Sequence, residues 1–194
     1  MPTVEEQRAA LDAAALYAAA GVPAKARALL ASIEGAADTA ARRRLAPEHT
    51  RVRAELALAA GQGAEAMRLF RASDVAADGG PATRCATCVL PDLARAAERA
   101  GWADSARVFW TRFVEEPALL RNDADTWHLA RAYRWLGEQW AAAGDEARTT
   151  RYDEAFVALR AQAEPALQAE VAAVRQRFVT RPRQVRPGEA VPPR

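Results

Sequence analysis

Lysine is nearly missing from this chain of 194 residues: Lys25 stands alone among 27 basic side chains. Arginine can bridge an acid with two parallel contacts where lysine cannot. With 25 acids the net charge is nevertheless only +2, too balanced for electrostatics to support a nucleic-acid partner. Apolar runs are short as well. The alanine-rich start is broken by Asp12 and Gly21, far below the roughly 18 to 20 apolar residues of a membrane span, so none is expected. Residues 1 to 6 lack the basic-then-apolar order of a secretory signal, which predicts a cytoplasmic protein if the chain is complete. Histidine is confined to His49 and His128, isolated from each other and from the only cysteines, Cys85 and Cys88. Four ligands for structural zinc do not assemble from that set, and no metal or cofactor is expected. The Cys-x2-Cys spacing leaves incidental thiols, a disulfide or half a metal site open.

Catalytic patterns are missing too. The run Ala77-Asp78-Gly79-Gly80-Pro81 reads as a turn, since no strand precedes it and no Gly-Lys-Ser/Thr follows. Glu115 and Glu116 are adjacent instead of converging. Asn122-Asp123-x-Asp125 is a helix start more readily than a site built with His128. An enzyme is not expected.

What the chain does have is alanine, leucine, arginine and glutamate, within a hydrophobic fraction of 51% that includes only 7% aromatics. Alanine loses no side-chain entropy in a helix and lets helices approach closely, so this vocabulary predicts an all-α protein. The pattern Gly-x4-Ala-x3-large occurs at Gly21/Ala26/Leu30, Gly61/Ala66/Phe70 and Gly101/Ala106/Trp110, with a weaker copy from Gly144. Successive glycines are 40, 40 and 43 residues apart, which marks an internal repeat. Each glycine lies between two apolar helical stretches, where a left-handed residue ends one helix and lets the chain turn back.

The spacing predicts helices over 4–20 and 23–33, 47–60 and 63–73, 88–100 and 103–115, and 124–143 and 145–161. Thr3-x-x-Glu6 is a capping box for the first. Leu167, Val171, Val174 and Phe178 share a stripe on a closing helix over 164–179. The expected organisation is one repeat domain over 1–179, with repeats near 4–33, 44–73, 87–115 and 124–161. Irregular connections are expected at 34–46, 74–87 and 116–124. Residues 180–194 carry Pro182, Pro187, Pro192 and Pro193 among arginines and read as a disordered tail.

Tyr133-x2-Leu136-Gly137-x2-Trp140, Leu90-x2-Leu93-Ala94 and Ala106-x3-Trp110 resemble the tetratricopeptide repeat. That resemblance implies a right-handed α-solenoid of four antiparallel helix pairs plus a capping helix, acting as a non-enzymatic module that binds a protein or peptide. Arg53, Thr149 and Asp153 depart from the motif, where Leu, Ala and an aromatic belong. The run Cys85-x2-Cys88-x-Leu90-Pro91-x-Leu93-Ala94-Arg95-Ala96 is similar to the C-terminal repeat regions of bacterial eukaryotic-like serine/threonine kinases and related signalling proteins. This implies a role in bacterial signalling, and an extracytoplasmic site if the chain is a fragment of a membrane-anchored protein. Kinase activity does not follow, since the Gly-rich loop, Val-Ala-Ile-Lys and His-Arg-Asp are all missing.

In the motif register the inner face is made by the first helix of each repeat. It presents Glu48, Arg51 and Glu55, then Arg95, Glu98 and Arg99, then Arg131, Arg134 and Glu138. The excess of arginine there suits an acidic segment or a terminal carboxylate. Tyr133, Leu136 and Trp140 follow a core stripe and not a base-stacking platform, whereas Trp135 falls off it and is expected at a surface. The alternative function is an architectural module in which the chain self-associates into a homo-oligomer.

Overall fold

The computed structural model describes residues 2–76, 79–80, 85, 87–116 and 122–179. Among them are ten helices and no sheet: α1 (Val4–Ala19), α2 (Pro23–Ala36), α3 (Thr39–Arg44), α4 (Ala46–Ala59), α5 (Gly63–Ser73), α6 (Leu90–Arg99), α7 (Ala103–Glu115), α8 (Asn122–Ala142), α9 (Glu146–Leu159) and α10 (Pro165–Val179). The expected tail at 180–194 lies outside the described residues. The described residues fall into two compact units, one up to Ala132 and the other from Tyr133, with the division inside α8.

Each expected hairpin glycine has a positive φ: 79° at Gly21, 81° at Gly61, 75° at Gly101 and 73° at Gly144. All four close their helices the same way. The glycine N–H donates to a carbonyl three residues back, and the next N–H donates to one five back, as in Gly61 to Leu58 at 3.0 Å and Gln62 to Ala57 at 2.9 Å. A side chain there would cost roughly 1–2 kcal/mol. The chain then turns back at once, so α1 packs on α2, α4 on α5, and α6 on α7.

In the first unit, α4 packs against both α1 and α2, and α5 against α6, so neighbouring hairpins share a continuous core. The periodic alanines Ala26, Ala66 and Ala106 are fully buried and let the paired helices close up. The larger residues four further on, Leu30, Phe70 and Trp110, are buried too, each contributing about 1.5–3 kcal/mol. Leu11, Ala14, Leu30, Ile33, Leu45 and Val52 form a core cluster between the first two hairpins. Glycine also appears where backbones nearly touch: a Cβ on Gly63 would overlap the Ala96 oxygen of α6 and the Ala100 nitrogen just after it.

The connection expected to be irregular at 34–46 instead contains α3. Asp38 caps it by accepting from the Ala41 N–H at 2.7 Å, and Ala41 within it and Leu45 at its end are buried. Six residues are too few for helical periodicity to show, and a lone aspartate suits a loop as well as a cap. Thr3 and Glu6 form their capping box at the start of α1.

In the second unit α9 packs on α10. Val171 and Val174 of α10 are buried, while Phe178 lies outside the described side chains. Thr149 and Asp153, the two departures from the repeat motif, are fully buried. Thr149 Oγ1 donates to the Asp145 carbonyl at 2.6 Å. Asp153 accepts from Arg177 Nε at 3.0 Å and Nη2 at 2.6 Å. Gly137 of α8 makes room for that carboxylate, since a Cβ on it would overlap Asp153 Oδ1.

Candidate functional site

The first helices of the hairpins in the first unit carry side chains of both signs, and the structure pairs them from one repeat to the next. Arg8 Nε of α1 donates to Glu48 of α4 at 2.9 Å. Arg95 of α6 donates to Glu55 of α4, and through Nη2 to Asp92 on its own helix at 2.7 Å. Asp92 also lies 3.5 Å from the exposed Arg51 guanidinium. Glu98 of α6 accepts from Arg131 of α8 at 2.8 Å and from the Trp110 indole N–H of α7 at 2.6 Å.

Glu55 and Asp92 are each only 4% exposed, so their charges are held in a poorly hydrated place. Burial pushes the Glu55 carboxyl above its ordinary pKa, an effect that Arg95 partly offsets. Burial alone would lower Arg95, but the pull of Asp92 and Glu55 outweighs it and raises the guanidinium further. The ring of His128 lies 6.4 Å from that of Trp110. Burial, with Arg95, Arg51 and Arg131 nearby, lowers its pKa to about 4 against the pull of Asp92, so it is neutral at pH 7.

Above this network is a groove of about 410 Å³ lined by Ala18 and Ala19 of α1, Glu55, Leu58 and Ala59 of α4, Arg95, Glu98 and Arg99 of α6, and Arg131 of α8. Glu55, Arg95, Arg99 and Arg131 therefore meet in one place, as does Glu98. Arg51 does not line it, and Glu48 is engaged with Arg8. Arg134 and Glu138 belong to the second unit. There Arg134 binds Glu170 of α10 and approaches Glu138 at 3.6 Å, with Arg177 3.9 Å from Glu138.

Sequence register leaves two features of the groove unread. One is the pairing that neutralises most of its arginines. Arg99 differs: it is exposed, its guanidinium lies over Gly61, and among the described residues it has no ion pair. The other is the wall of small apolar residues formed by Ala18, Ala19 and Ala59, which lie just before the hairpin glycines. The expectation for Trp135 shifts likewise: it is partly buried, while Trp127 is 68% exposed and Trp102 46%.

Cys85 and Cys88 are joined in a disulfide just before α6, with Cα atoms 5.4 Å apart. No described helix is long and apolar enough to cross a membrane. No protein-family model matches the chain, and neither a curated protein nor a solved structure shows significant similarity to it.

Proposed function

We propose that the first unit is a tetratricopeptide-like stack of three helical hairpins whose first-helix groove binds a peptide segment of a partner protein, without catalysis. The observation that carries this reading is the convergence of four helices on one groove with an apolar wall and a charged floor. Its lining holds three arginines against two glutamates, so one cation is in excess. Arg99 is that cation. The fitting partner is an extended segment with an acidic group placed for Arg99 and small apolar side chains for Ala18, Ala19, Leu58 and Ala59. A role as an adaptor or sensor in bacterial signalling rests on the resemblance of residues 85–96 alone.

Arg99 is the informative probe, because Arg95 and Arg131 also hold the fold. Peptides selected from a displayed random library are measured by fluorescence anisotropy against the native chain and Arg99→Glu. The expected loss is tenfold or more, about 1.4 kcal/mol. Equal binding by both chains, or a library that yields no saturable binder, would remove this reading.

Self-association is the second reading, and the exposure of Trp127 favours it. Sedimentation velocity over a range of concentrations tests it. A mass that rises with concentration and returns to that of one chain in Trp127→Ser supports it, and a constant monomer mass excludes it.

A further inference from the structure

The Cys85–Cys88 disulfide lies outside the groove lining and has no part in the reading above. It joins residues only three positions apart. Restriction of the unfolded chain grows with the length of the closed loop, so this ring adds less to global stability than a long one would. Its effect is local, and what is local is the start of α6. The Cys88 N–H donates to the Cys85 carbonyl at 3.2 Å, Leu90 to Thr87 at 3.1 Å, and Leu93 to Val89 at 3.0 Å, one turn passing directly into the helix. Val89 at the N-cap supplies no side-chain cap. Thr87, Leu90, Pro91 and Asp92 are all buried. Asp92, four residues beyond Cys88, is the acid that holds Arg95 and faces Arg51.

The two sulfurs also differ. Cys85 is 6% exposed, while Cys88 is half-buried and more open to attack. We propose that the Cys85–Cys88 disulfide is a reversible redox switch, opened by a dithiol, that sets how firmly the first turn of α6 and its Asp92–Arg95–Glu55 ion network are anchored beneath the groove. A thiolate of the dithiol attacks Cys88 Sγ. The Sγ–Sγ bond breaks and its electron pair leaves on Cys85 Sγ, which takes a proton. The second thiol of the reductant then attacks its own sulfur in the mixed disulfide, releasing Cys88, which is protonated in turn. The protein gains two electrons and two protons, and the reductant leaves as a cyclic disulfide. Without the covalent tie the turn is held by its backbone bonds, side-chain burial and the Asp92–Arg95 contact, none of which fixes Cys85 to Cys88, and α6 frays more readily from its N-terminus. The consequence for a bound peptide rests on the groove reading; the switch does not.

The full chain is equilibrated under native conditions in buffers of increasing reduced-to-oxidised dithiothreitol ratio. Free thiols are counted by alkylation and mass, and amide exchange is followed by NMR. Both cysteines are expected to become alkylatable without global unfolding and to re-form the disulfide in oxidised buffer. The amides of Leu93 to Ala97 should exchange at least about tenfold faster, while those of α1 and α4 stay unchanged. Thiols that appear only on global unfolding, or α6 exchange equal in both states, would overturn the proposal. The double variant Cys85→Ser/Cys88→Ser should exchange fast in α6 whatever the buffer; protection equal to that of the oxidised chain would also overturn it. If that variant does not fold, the reduced and oxidised native chain decides alone. No peptide enters the readout, so failure here and failure of the groove reading are separate results.

Discussion

Glu55 and Arg95 lie forty positions apart, one repeat spacing, and meet as a buried ion pair between α4 and α6. Removing one partner of such a pair leaves the other charge desolvated and uncompensated, whereas removing both leaves an apolar contact. Arg95→Met is therefore expected to lower unfolding free energy by about 3–5 kcal/mol. Glu55→Leu/Arg95→Met should recover part of that loss, though Asp92 remains. Urea denaturation of the three chains checks both; a double variant less stable than Arg95→Met would contradict the account.

Glycine to alanine should have opposite signs at two helical positions. Gly35 of α2 has open space where a Cβ would go, so Gly35→Ala should stabilise by about 0.5–1 kcal/mol through helix propensity. At Gly137 the new methyl would meet Asp153 Oδ1, and that carboxylate cannot swing away because Arg177 clasps both its oxygens. Gly137→Ala is expected to destabilise by about 1–3 kcal/mol despite the same propensity gain. Thermal melts of the two variants give the comparison.

Acid should weaken the fold through its histidines. His49 is 5% exposed and both its ring nitrogens lack a hydrogen-bond partner; burial lowers its pKa, and that of His128 falls to about 4. Groups with depressed folded pKa values contribute stability that is present above the unfolded value of about 6.5 and is lost as pH falls toward the folded one. Glu55, raised by burial, acts in the opposite sense as it protonates. His128→Gln should accordingly lose less stability than the native chain between pH 7 and pH 5 in denaturant titrations. Identical losses would show that His128 is not held neutral.

The glycine spacing reaches most helix boundaries because a positive-φ residue and a buried alanine recur in every hairpin of the first unit. Helix α3 escapes it, since its six residues are too few to repeat any spacing. The ion pairs were within reach of the same spacing: adding forty to Arg8 gives Glu48, and adding forty to Glu55 gives Arg95. Register instead points Glu48, Glu55 and Arg95 at a ligand, because it reports direction and not what stands opposite. Arg53 shows how a degenerate position can be informative, as it departs from the motif to bind Glu34 at 2.6 Å. Thr149 and Asp153 depart from it to serve contacts within the second unit.

Where a selected peptide lands decides whether the first-helix groove is the binding site. A nitroxide spin label on that peptide broadens nearby amide signals of the isotope-labelled chain. Broadening is expected at Ala18 and Ala19 of α1, Leu58 and Ala59 of α4, and Glu98 and Arg99 of α6, and is expected to be lost in Arg99→Glu. Broadening centred on α2, α5 and α7, with the first helices untouched, would contradict the groove reading.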